Sequence, residues 1–226
     1  MNVIELTGVS KTHAGSPPVT ALREATLSVA GGEFTAITGP SGSGKSTLLA
    51  IAGTLERPSA GTVRLAGQAT ESLKDRELCA IRAAVMGFVF QQFHLVPWLT
   101  AVDNVATALL YRGVPTGRRR RAAADALADV GLAHRVSHRP AELSGGECQR
   151  VAIARAMVGQ PAALLADEPT GSLDTAAGQG VLAILADLNS SGTTVIVVTH
   201  DPEVAARAGR IIRLRDGRVI DDGGAA

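Results

Sequence analysis

Short apolar runs with strand character alternate along the chain with segments in which apolar residues recur at helical spacing. In the N-terminal part, VIEL, ATLSVA and FTAITG have strand character, and KSTLLAIAG contains helix formers and ends on Gly53. The segment TVRLAGQAT then returns to strand character. This part of the pattern predicts strands that lead through a loop into a helix.

The middle of the chain, from about residue 72 to residue 150, is predicted to be mostly helical. The segments ESLKDRELCAIRAA, DNVATALLYRG and RRRRAAADALADVGL have helical character, and the short apolar run MGFVF interrupts them. Further on, AALLADEPTG, TTVIVVTHD and RIIRLRDGRVI are β-rich, with the helical pattern TAAGQGVLAILADLNSS between the first two. We therefore predict an α/β fold in which a helical middle is inserted into a β/α frame.

Composition and charge exclude several classes of protein. The 226 residues are 46% hydrophobic, enough for one sizeable core, so we expect a single domain. With 22 Lys and Arg against 21 Asp and Glu, the formal net charge of +1 gives no overall field that would attract nucleic acid. Cys79 and Cys148 form no CxxC pair, so neither a disulfide framework nor a zinc site is predicted, and a reducing cytoplasm fits best.

The apolar runs are too short to predict a membrane span. None approaches the roughly 18 to 20 residues that cross a bilayer, because Arg, Asp or Gly interrupts each of them. The opening MNVIELTGV lacks the basic flank and apolar run of a signal peptide, so we do not expect export. A role in a membrane process would need a partner that supplies the membrane part.

The segment GPSGSGKST, residues 39–47, satisfies the pattern GxxxxGK[ST] between an apolar run and a helical pattern. Its glycines let backbone N–H groups point at phosphate oxygens, and the N-terminus of the next helix adds partial positive charge. Lys45 can reach the β and γ phosphates, and the Ser46 hydroxyl can ligate magnesium. A Gly-rich turn with a chance match is the alternative, and the flanking strand and helix favour the phosphate loop.

The segment ALLADEPT is an apolar strand that ends in two adjacent carboxylates, Asp167 and Glu168. Alternation along a strand sends the two side chains in different directions, so one can face a metal while the other faces the attacking water. Asp167 suits the magnesium role and Glu168 that of general base. Taken alone, such a pair is more often a solvated turn or a helix cap, but beside a phosphate loop the catalytic interpretation is favoured.

The segment LSGGECQRVAIARAMV places a small Gly-rich turn ahead of a strongly helical run. Ser144, Gly145 and Gly146 would present a hydroxyl and free backbone N–H groups at a helix N-terminus, which makes a second anion site. The plainer interpretation is a helix cap in which Glu147 supports the first turn. Together with the other motifs, this stretch is the most discriminating part of the sequence.

In these motifs and in their order, the chain resembles the ATP-binding subunits of ABC transporters over nearly its whole length. Residues 39–47 match the phosphate loop, residues 143–147 the signature, and Asp167 and Glu168 the Walker B carboxylate and the catalytic glutamate. The resemblance also matches Gln91 in FVFQQFHLVP to the glutamine loop, residues 172–174 to the D-loop, and His200 in VIVVTHD to the switch histidine. Within the family, FVFQQFHLVPWLTAVDNV and HRPAELSGGE are most similar to the lipoprotein-releasing and macrolide-exporter group.

The resemblance implies roles for particular residues. Those implied to act in catalysis are Lys45, Glu168 and His200, and those implied to hold magnesium are Ser46, Gln91 and Asp167. The residues implied to contact ATP are His13, Gly39, Pro40, Ser41, Gly42, Ser43, Gly44, Lys45, Ser46, Thr47, Gln91, Ser144, Gly145, Gly146, Glu147 and Asp174. The implied assembly is a head-to-tail homodimer, in which the signature of one copy closes on the ATP bound by the phosphate loop of the other.

The resemblance also implies an architecture and an activity. Residues 1–71 and 151–226 would form a nucleotide-binding core of mainly parallel sheet with an N-terminal antiparallel β portion, and residues 72–150 a helical lobe. The implied activity is hydrolysis of ATP that drives a separate integral membrane permease from the cytoplasmic face. Two departures stand out: His13 replaces the usual aromatic residue that stacks on adenine, and the D-loop reads Ser-Leu-Asp, which keeps Asp174.

Two alternatives share the same ATPase. A soluble ABC ATPase that acts on DNA or ribosomes is disfavoured, because such proteins usually carry coiled coils, tandem cassettes or basic extensions. A regulator that transmits force to a cell-wall enzyme stays open. The arginines of residues 118–121 are read as a solvated face, with an acidic partner or lipid headgroups as the alternative. Phe93 and Trp98 are read either as core or as part of a permease-binding groove.

Overall fold

The computed structural model describes residues 1–224, which form two β-sheets and a set of α-helices. The strands are β1 (Asn2–His13), β2 (Val19–Ala30), β3 (Phe34–Thr38), β4 (Ala60–Leu65), β5 (Gln68–Ala69), β6 (Met86–Phe90), β7 (Ala163–Asp167), β8 (Thr194–Val198), β9 (Arg210–Arg215) and β10 (Arg218–Gly224). The α-helices are α1 (Lys45–Ala52), α2 (Asp75–Val85), α3 (Ala101–Ala106), α4 (Thr116–Asp129), α5 (Gly145–Met157), α6 (Thr175–Ser190) and α7 (Pro202–Ala205). Short 3₁₀ helices span Thr107–Arg112, Ala133–Arg135 and Pro140–Glu142.

The larger sheet has six strands in the order β10-β9-β3-β8-β7-β6. All of its neighbouring pairs are parallel except β9 with β10. Its central strands are continuous apolar runs, as expected for strands covered on both faces. Side chains alternate between the faces, so Leu164 joins one buried cluster and Leu165 the other.

The smaller sheet has the order β2-β1-β4-β5 and is antiparallel. Its buried residues, such as Ile4 and Leu22, belong to the same cluster as Leu48 of α1 and Leu165 of the larger sheet. Helix α1 is therefore enclosed between the two sheets. The predicted α/β class, with a mainly parallel sheet and an N-terminal antiparallel portion, is confirmed.

Helices α3, α4 and α5 pack on the opposite face of the larger sheet, whereas Ile81 and Val85 of α2 pack against the cluster that contains α1. Val105 of α3, Leu127 of α4 and Val151 of α5 are fully buried in one cluster with Leu164. Strand β6 falls inside the 72–150 range yet pairs with β7 of the larger sheet, and α5 continues past residue 150. The division of the chain at these boundaries stays a prediction.

The exposure of Trp98 and the contacts of the arginine run bear on the interpretations that the sequence left open for this segment. Trp98 has 72% of its surface exposed, so its interpretation as ordinary core is wrong, and a permease-binding role for it stays a prediction. In the arginine run, Arg120 lies 3.3 Å from the carboxylate of Asp103 on α3. Within residues 1–224, no helix has the length and apolar character needed to cross a membrane.

Candidate active site

Residues 39–47 connect β3 to α1, and their glycines are required by the backbone. Gly39 has φ 151° and Gly44 has φ 99°, in the region that glycine favours. A Cβ would lie 2.1 Å from the Leu214 carbonyl oxygen at Gly39, and 2.3 Å from the Ala21 carbonyl oxygen at Gly44. Gly44 precedes α1 and provides no side-chain cap, so the first N–H groups of the helix are available to an anion.

Lys45 folds back over this loop. Its Nζ donates to the carbonyl oxygens of Gly39 at 2.9 Å and Pro40 at 3.0 Å. These two bonds hold the ammonium group against the loop, where it adds a full positive charge to the N-terminus of α1. The Ser43 hydroxyl is buried in the same loop without a hydrogen-bond partner. The loop can therefore receive a phosphate chain.

Asp167 is the last residue of β7, and its surroundings fit a bound cation. Burial raises the pKa of its carboxyl above the ordinary value and Glu168 adds to the rise, whereas the Ser46 hydroxyl and the Lys45 ammonium lower it. Its Oδ1 is buried and has no hydrogen-bond partner. An unpaired buried carboxylate oxygen is costly, and a divalent cation between Asp167 and Ser46 would satisfy it.

Asp167 and Ser46 offer a cation two protein ligands, which suits magnesium and does not amount to a complete coordination shell made by protein. Across residues 1–224, no group of three or more His, Cys, Asp and Glu side chains is arranged to hold a metal. Magnesium commonly takes one or two protein ligands and completes its shell with phosphate oxygens and water. Gln91, the third predicted ligand, has its side-chain Nε2 3.0 Å from the position of a Cβ on Gly171, so it lies against the turn that follows Glu168.

Glu168 leaves the strand in an unusual conformation and contacts His200. Its φ is 47°, in the left-handed region, and its N–H donates to the Val198 carbonyl at 2.9 Å. His200 Nδ1 lies 2.7 Å from Glu168 Oε1, the distance of a short hydrogen bond. The Glu168 side chain is 17% exposed and that of His200 is 73% exposed. The structure thus brings together two predicted catalytic residues that are 32 positions apart.

Residues 143–147 form the N-terminus of α5, as the capping interpretation predicts. The Ser144 hydroxyl accepts from the Glu147 N–H at 3.2 Å, and the Ser144 N–H donates to Glu147 Oε2 at 2.8 Å. Arg135 Nε also donates to Glu147 Oε1 at 2.9 Å. A Cβ on Gly146 would lie 2.8 Å from Ala177 Cβ, so only glycine allows α5 to approach α6 this closely.

The charge of Glu147 is expected to stabilise the fold in a pH-dependent way. The Ser144 N–H is the main cause of its pKa lying below the ordinary 4.5, against the opposing effect of burial, with Arg135 lowering it further. Because the folded pKa is depressed, this stability is fully present above pH 4.5 and is lost as pH falls through the folded pKa. Glu147→Gln should therefore cost about 0.5 to 1 kcal/mol at neutral pH.

Urea unfolding of wild type and Glu147→Gln across a range of pH measures this difference. The difference should shrink at acid pH, because both proteins then carry a neutral group at this position. Asp125→Asn, at an exposed position of α4, controls for removal of a carboxylate that caps no helix. A difference that stays constant down to the acid end of the range would contradict the predicted role of the Glu147 charge.

Two predicted nucleotide contacts have structural roles in the described chain. His13 ends β1, and its Nδ1 lies 3.5 Å from Glu56 Oε1, which also pairs with Lys11 at 2.8 Å. Asp174 caps α6 by accepting from the Ala177 N–H at 2.8 Å. Contact of either residue with ATP stays a prediction, as do the nucleotide and metal roles of the other motif residues.

The roles predicted from the sequence leave out two side chains that support the site. Arg135 holds Glu147, and Gln149 is fully buried in α5 and donates to the Pro169 carbonyl at 2.6 Å. The signal for Gln149 is a polar residue on the buried face of the helical run QRVAIARA. A polar side chain in that place needs a partner, but the sequence does not show which one.

Known proteins are similar to this chain over nearly its whole length. The family described as ABC transporter matches residues 22–171. The macrolide export ATP-binding/permease protein MacB of Chromobacterium violaceum is 49% identical over 223 residues, which are 98% of this chain and 35% of that protein. This chain thus spans about a third of the length of that relative. The uncharacterized ABC transporter ATP-binding protein YvrO of Bacillus subtilis is 48% identical over 221 residues, covering 97% of this chain and 96% of that protein.

Solved structures of an ATP-binding cassette are also similar to this chain. The dimeric structure of the ATP-binding cassette MJ0796 in a post-hydrolysis state, bound to ADP and Pi, aligns with a TM-score of 0.91 and 43% identity, covering 99% of both chains. A second dimeric structure of that cassette aligns with a TM-score of 0.91 and 44% identity. The similarity to macrolide exporters that the motifs predict is confirmed.

Proposed function

This chain belongs to the ABC transporter family as an ATP-binding cassette, and we propose that it hydrolyses Mg-ATP in a head-to-tail homodimer and thereby drives a membrane permease. The arrangement around Asp167 is the observation that supports this proposal most directly. A buried carboxylate oxygen without a partner lies beside Ser46 and Lys45 at the phosphate loop, and the neighbouring Glu168 is paired with His200.

The phosphate loop would bind the β and γ phosphates of ATP. Backbone N–H groups at the start of α1 donate to the phosphate oxygens, and Lys45 exchanges its bonds to the Gly39 and Pro40 carbonyls for bonds to phosphate. Ser46 and Asp167 would hold magnesium, which when bound neutralises charge that develops on the phosphate oxygens. Binding of ATP would require little change in the backbone of the loop, because the glycines already give it the required conformation.

Glu168 would orient the water that attacks the γ phosphorus. The water oxygen bonds to phosphorus, the bond to the β–γ bridging oxygen breaks, and the products are ADP and phosphate. Glu168 Oε1 is engaged by His200, so Oε2 can accept the proton of the water. His200 thereby fixes the side chain of the general base and lies at the exposed edge of the site, where it can contact the γ phosphate.

The N-terminus of α5 would complete the site of a second copy. Ser144 and Gly145 are exposed, and the capping bonds of Ser144 with Glu147 fix the shape of this turn. Its N–H groups and hydroxyl can neutralise charge on a γ phosphate that the other copy binds. The similar cassette is dimeric with ADP and Pi, which supports this arrangement.

We place the dimer at the cytoplasmic face of a membrane, in contact with an integral membrane permease. The name of the Chromobacterium violaceum relative combines ATP-binding and permease functions, which supports a partner of this kind. Nucleic acid is not expected as a partner, because the net charge of +1 gives no overall field that would attract it.

Calorimetric titration with ATP and a phosphate-release assay test the proposed activity. The purified protein should bind ATP and release phosphate with magnesium present, and phosphate release should stop when EDTA removes the metal. Failure to bind ATP would contradict the site assignment. Binding without phosphate release in the presence of magnesium would instead contradict the proposal that this chain is an ATPase.

A further inference from the structure

Gln149 lies beneath the site and joins two loops that carry predicted active-site residues. It is fully buried in α5, five residues after Ser144. Its Nε2 donates to the Pro169 carbonyl at 2.6 Å and lies 3.4 Å from the Phe90 carbonyl, within reach of a second, weaker bond. Pro169 follows Glu168 directly, and Phe90 directly precedes Gln91. A single amide therefore anchors the backbone next to both residues.

This anchor lies where the sheet stops holding the two strands together. Strands β6 and β7 pair in register up to Phe90 and Asp167, after which the chains leave the sheet. Glu168 turns away with its φ of 47°, a conformation that non-glycine residues keep only when their surroundings impose it. Beyond the last pair of the ladder, Gln149 replaces the missing strand-to-strand hydrogen bonds.

A second bridge connects the same two loops. The Ser172 hydroxyl donates to the Gln91 carbonyl at 3.0 Å, and the Gln91 side chain lies against Gly171. The Gly171 N–H donates to the Glu168 carbonyl at 3.1 Å and closes the turn. Through the bonds of Gln149 and Ser172, Gln91 and Glu168 share one set of supports.

We propose that Gln149 is a positioning residue for ATP hydrolysis, which holds the backbone of Glu168 and Gln91 in working geometry and links both to the helix whose N-terminus is Ser144. This inference rests on the proposed function. A rigid helix carries Ser144 at its end and Gln149 in its second turn, so closure of a second copy on Ser144 is transmitted to the turn that carries the general base.

The unused half of the Gln149 amide argues against a purely stabilising role. Its Oε1 is buried and has no hydrogen-bond partner, so the side chain carries an unpaired polar atom in the core. Methionine has nearly the same length, forms helices well and fits irregular core space. Gln149→Met removes the unpaired oxygen together with the two donated bonds. The loss of the unpaired oxygen offsets only part of the cost of leaving the buried Pro169 carbonyl without a donor, so the unfolding temperature should fall modestly. The two loops meanwhile lose their common anchor.

The test compares Gln149→Met with wild type by turnover, by thermal unfolding and by hydrogen exchange of the free protein. We expect kcat to fall roughly 10- to 100-fold, as a displaced catalytic group does, with KM for ATP unchanged within about a factor of two. Amide exchange should rise in the peptides that cover residues 86–95 and 163–175. Gln149→Leu, measured in the same way, provides a second apolar replacement if the methionine variant folds poorly.

Asn104→Leu is the matched control. Asn104 is also a fully buried amide, and it accepts from the Val96 N–H at 2.7 Å and donates to the Thr100 carbonyl at 3.1 Å, away from the Glu168 turn. This variant should lower the unfolding temperature while the exchange of residues 163–175 stays as in wild type. Its folded fraction should keep the kcat of wild type.

The outcomes separate the inference from the proposed function. If wild type hydrolyses ATP and both Gln149 variants match its kcat and its exchange, the positioning role is wrong. A parallel fall of stability and activity, with exchange raised evenly across the chain, would also overturn it in favour of a structural role. If wild type itself releases no phosphate, the proposed function fails. The exchange measurement still tests the anchor, because a rise in the Gln149 variants that is confined to the two loops would show that Gln149 holds them.

Discussion

Replacing Lys45 with alanine is expected to abolish ATP hydrolysis. The ammonium group is the only full positive charge within residues 39–47, and its two bonds to the Gly39 and Pro40 carbonyls hold it over the loop. A cation that stabilises the transferring phosphoryl group is worth roughly 10³-fold or more in rate. The loss for Lys45→Ala should be of that order, and ATP affinity should fall with it, because the lysine also contacts the phosphates before reaction.

Lys74→Ala is the control for this experiment. Lys74 is exposed at the start of α2, and its removal deletes the same charge from the surface without touching the phosphate loop. Calorimetric titration gives the ATP affinity and a phosphate-release assay gives kcat for each variant. Equal affinity and equal rates for Lys45→Ala and wild type would show that the phosphate site is assigned to the wrong loop.

The phosphate loop could be predicted from sequence because its requirements are local. The spacing GxxxxGK[ST] between a strand and a helix fixes the fold of the loop within nine residues, and the positive φ values of Gly39 and Gly44 explain two of its glycines. The capping box of Ser144 and Glu147 is equally local, since both partners lie within one helical turn. In both cases the residues that determine the local backbone conformation lie within the motif itself, so the motif is enough to predict it.

Contacts between distant segments could not be predicted in the same way. The Glu168–His200 bond depends on β7 and β8 being neighbours in register, with Asp167 opposite Val198. The positive φ of Glu168 follows from packing, because the strand pattern predicts an extended residue there. Gln149 illustrates the limit: its burial follows from the helical period, whereas its partners at Phe90 and Pro169 lie 59 and 20 residues away.

Glu168→Gln should separate ATP binding from hydrolysis. The amide keeps the shape of the side chain and can still accept a bond from His200, but it cannot take a proton from the attacking water. General-base assistance contributes roughly 10² to 10⁴ in rate, so kcat should fall by about that factor. Asp167, Ser46 and Lys45 are unchanged, so ATP affinity in the presence of magnesium should be kept.

With hydrolysis slowed in Glu168→Gln, ATP should persist between two copies. The variant should then elute as a dimer with ATP and magnesium and as a monomer with ADP, because only the γ phosphate joins the Lys45 of one copy to the Ser144 turn of the other. Glu77→Gln, which removes a carboxylate from the capping box of α2, should behave as wild type in both assays. Turnover near wild type would rule out Glu168 as the general base, and the lack of an ATP-dependent dimer by light scattering would rule out the paired site.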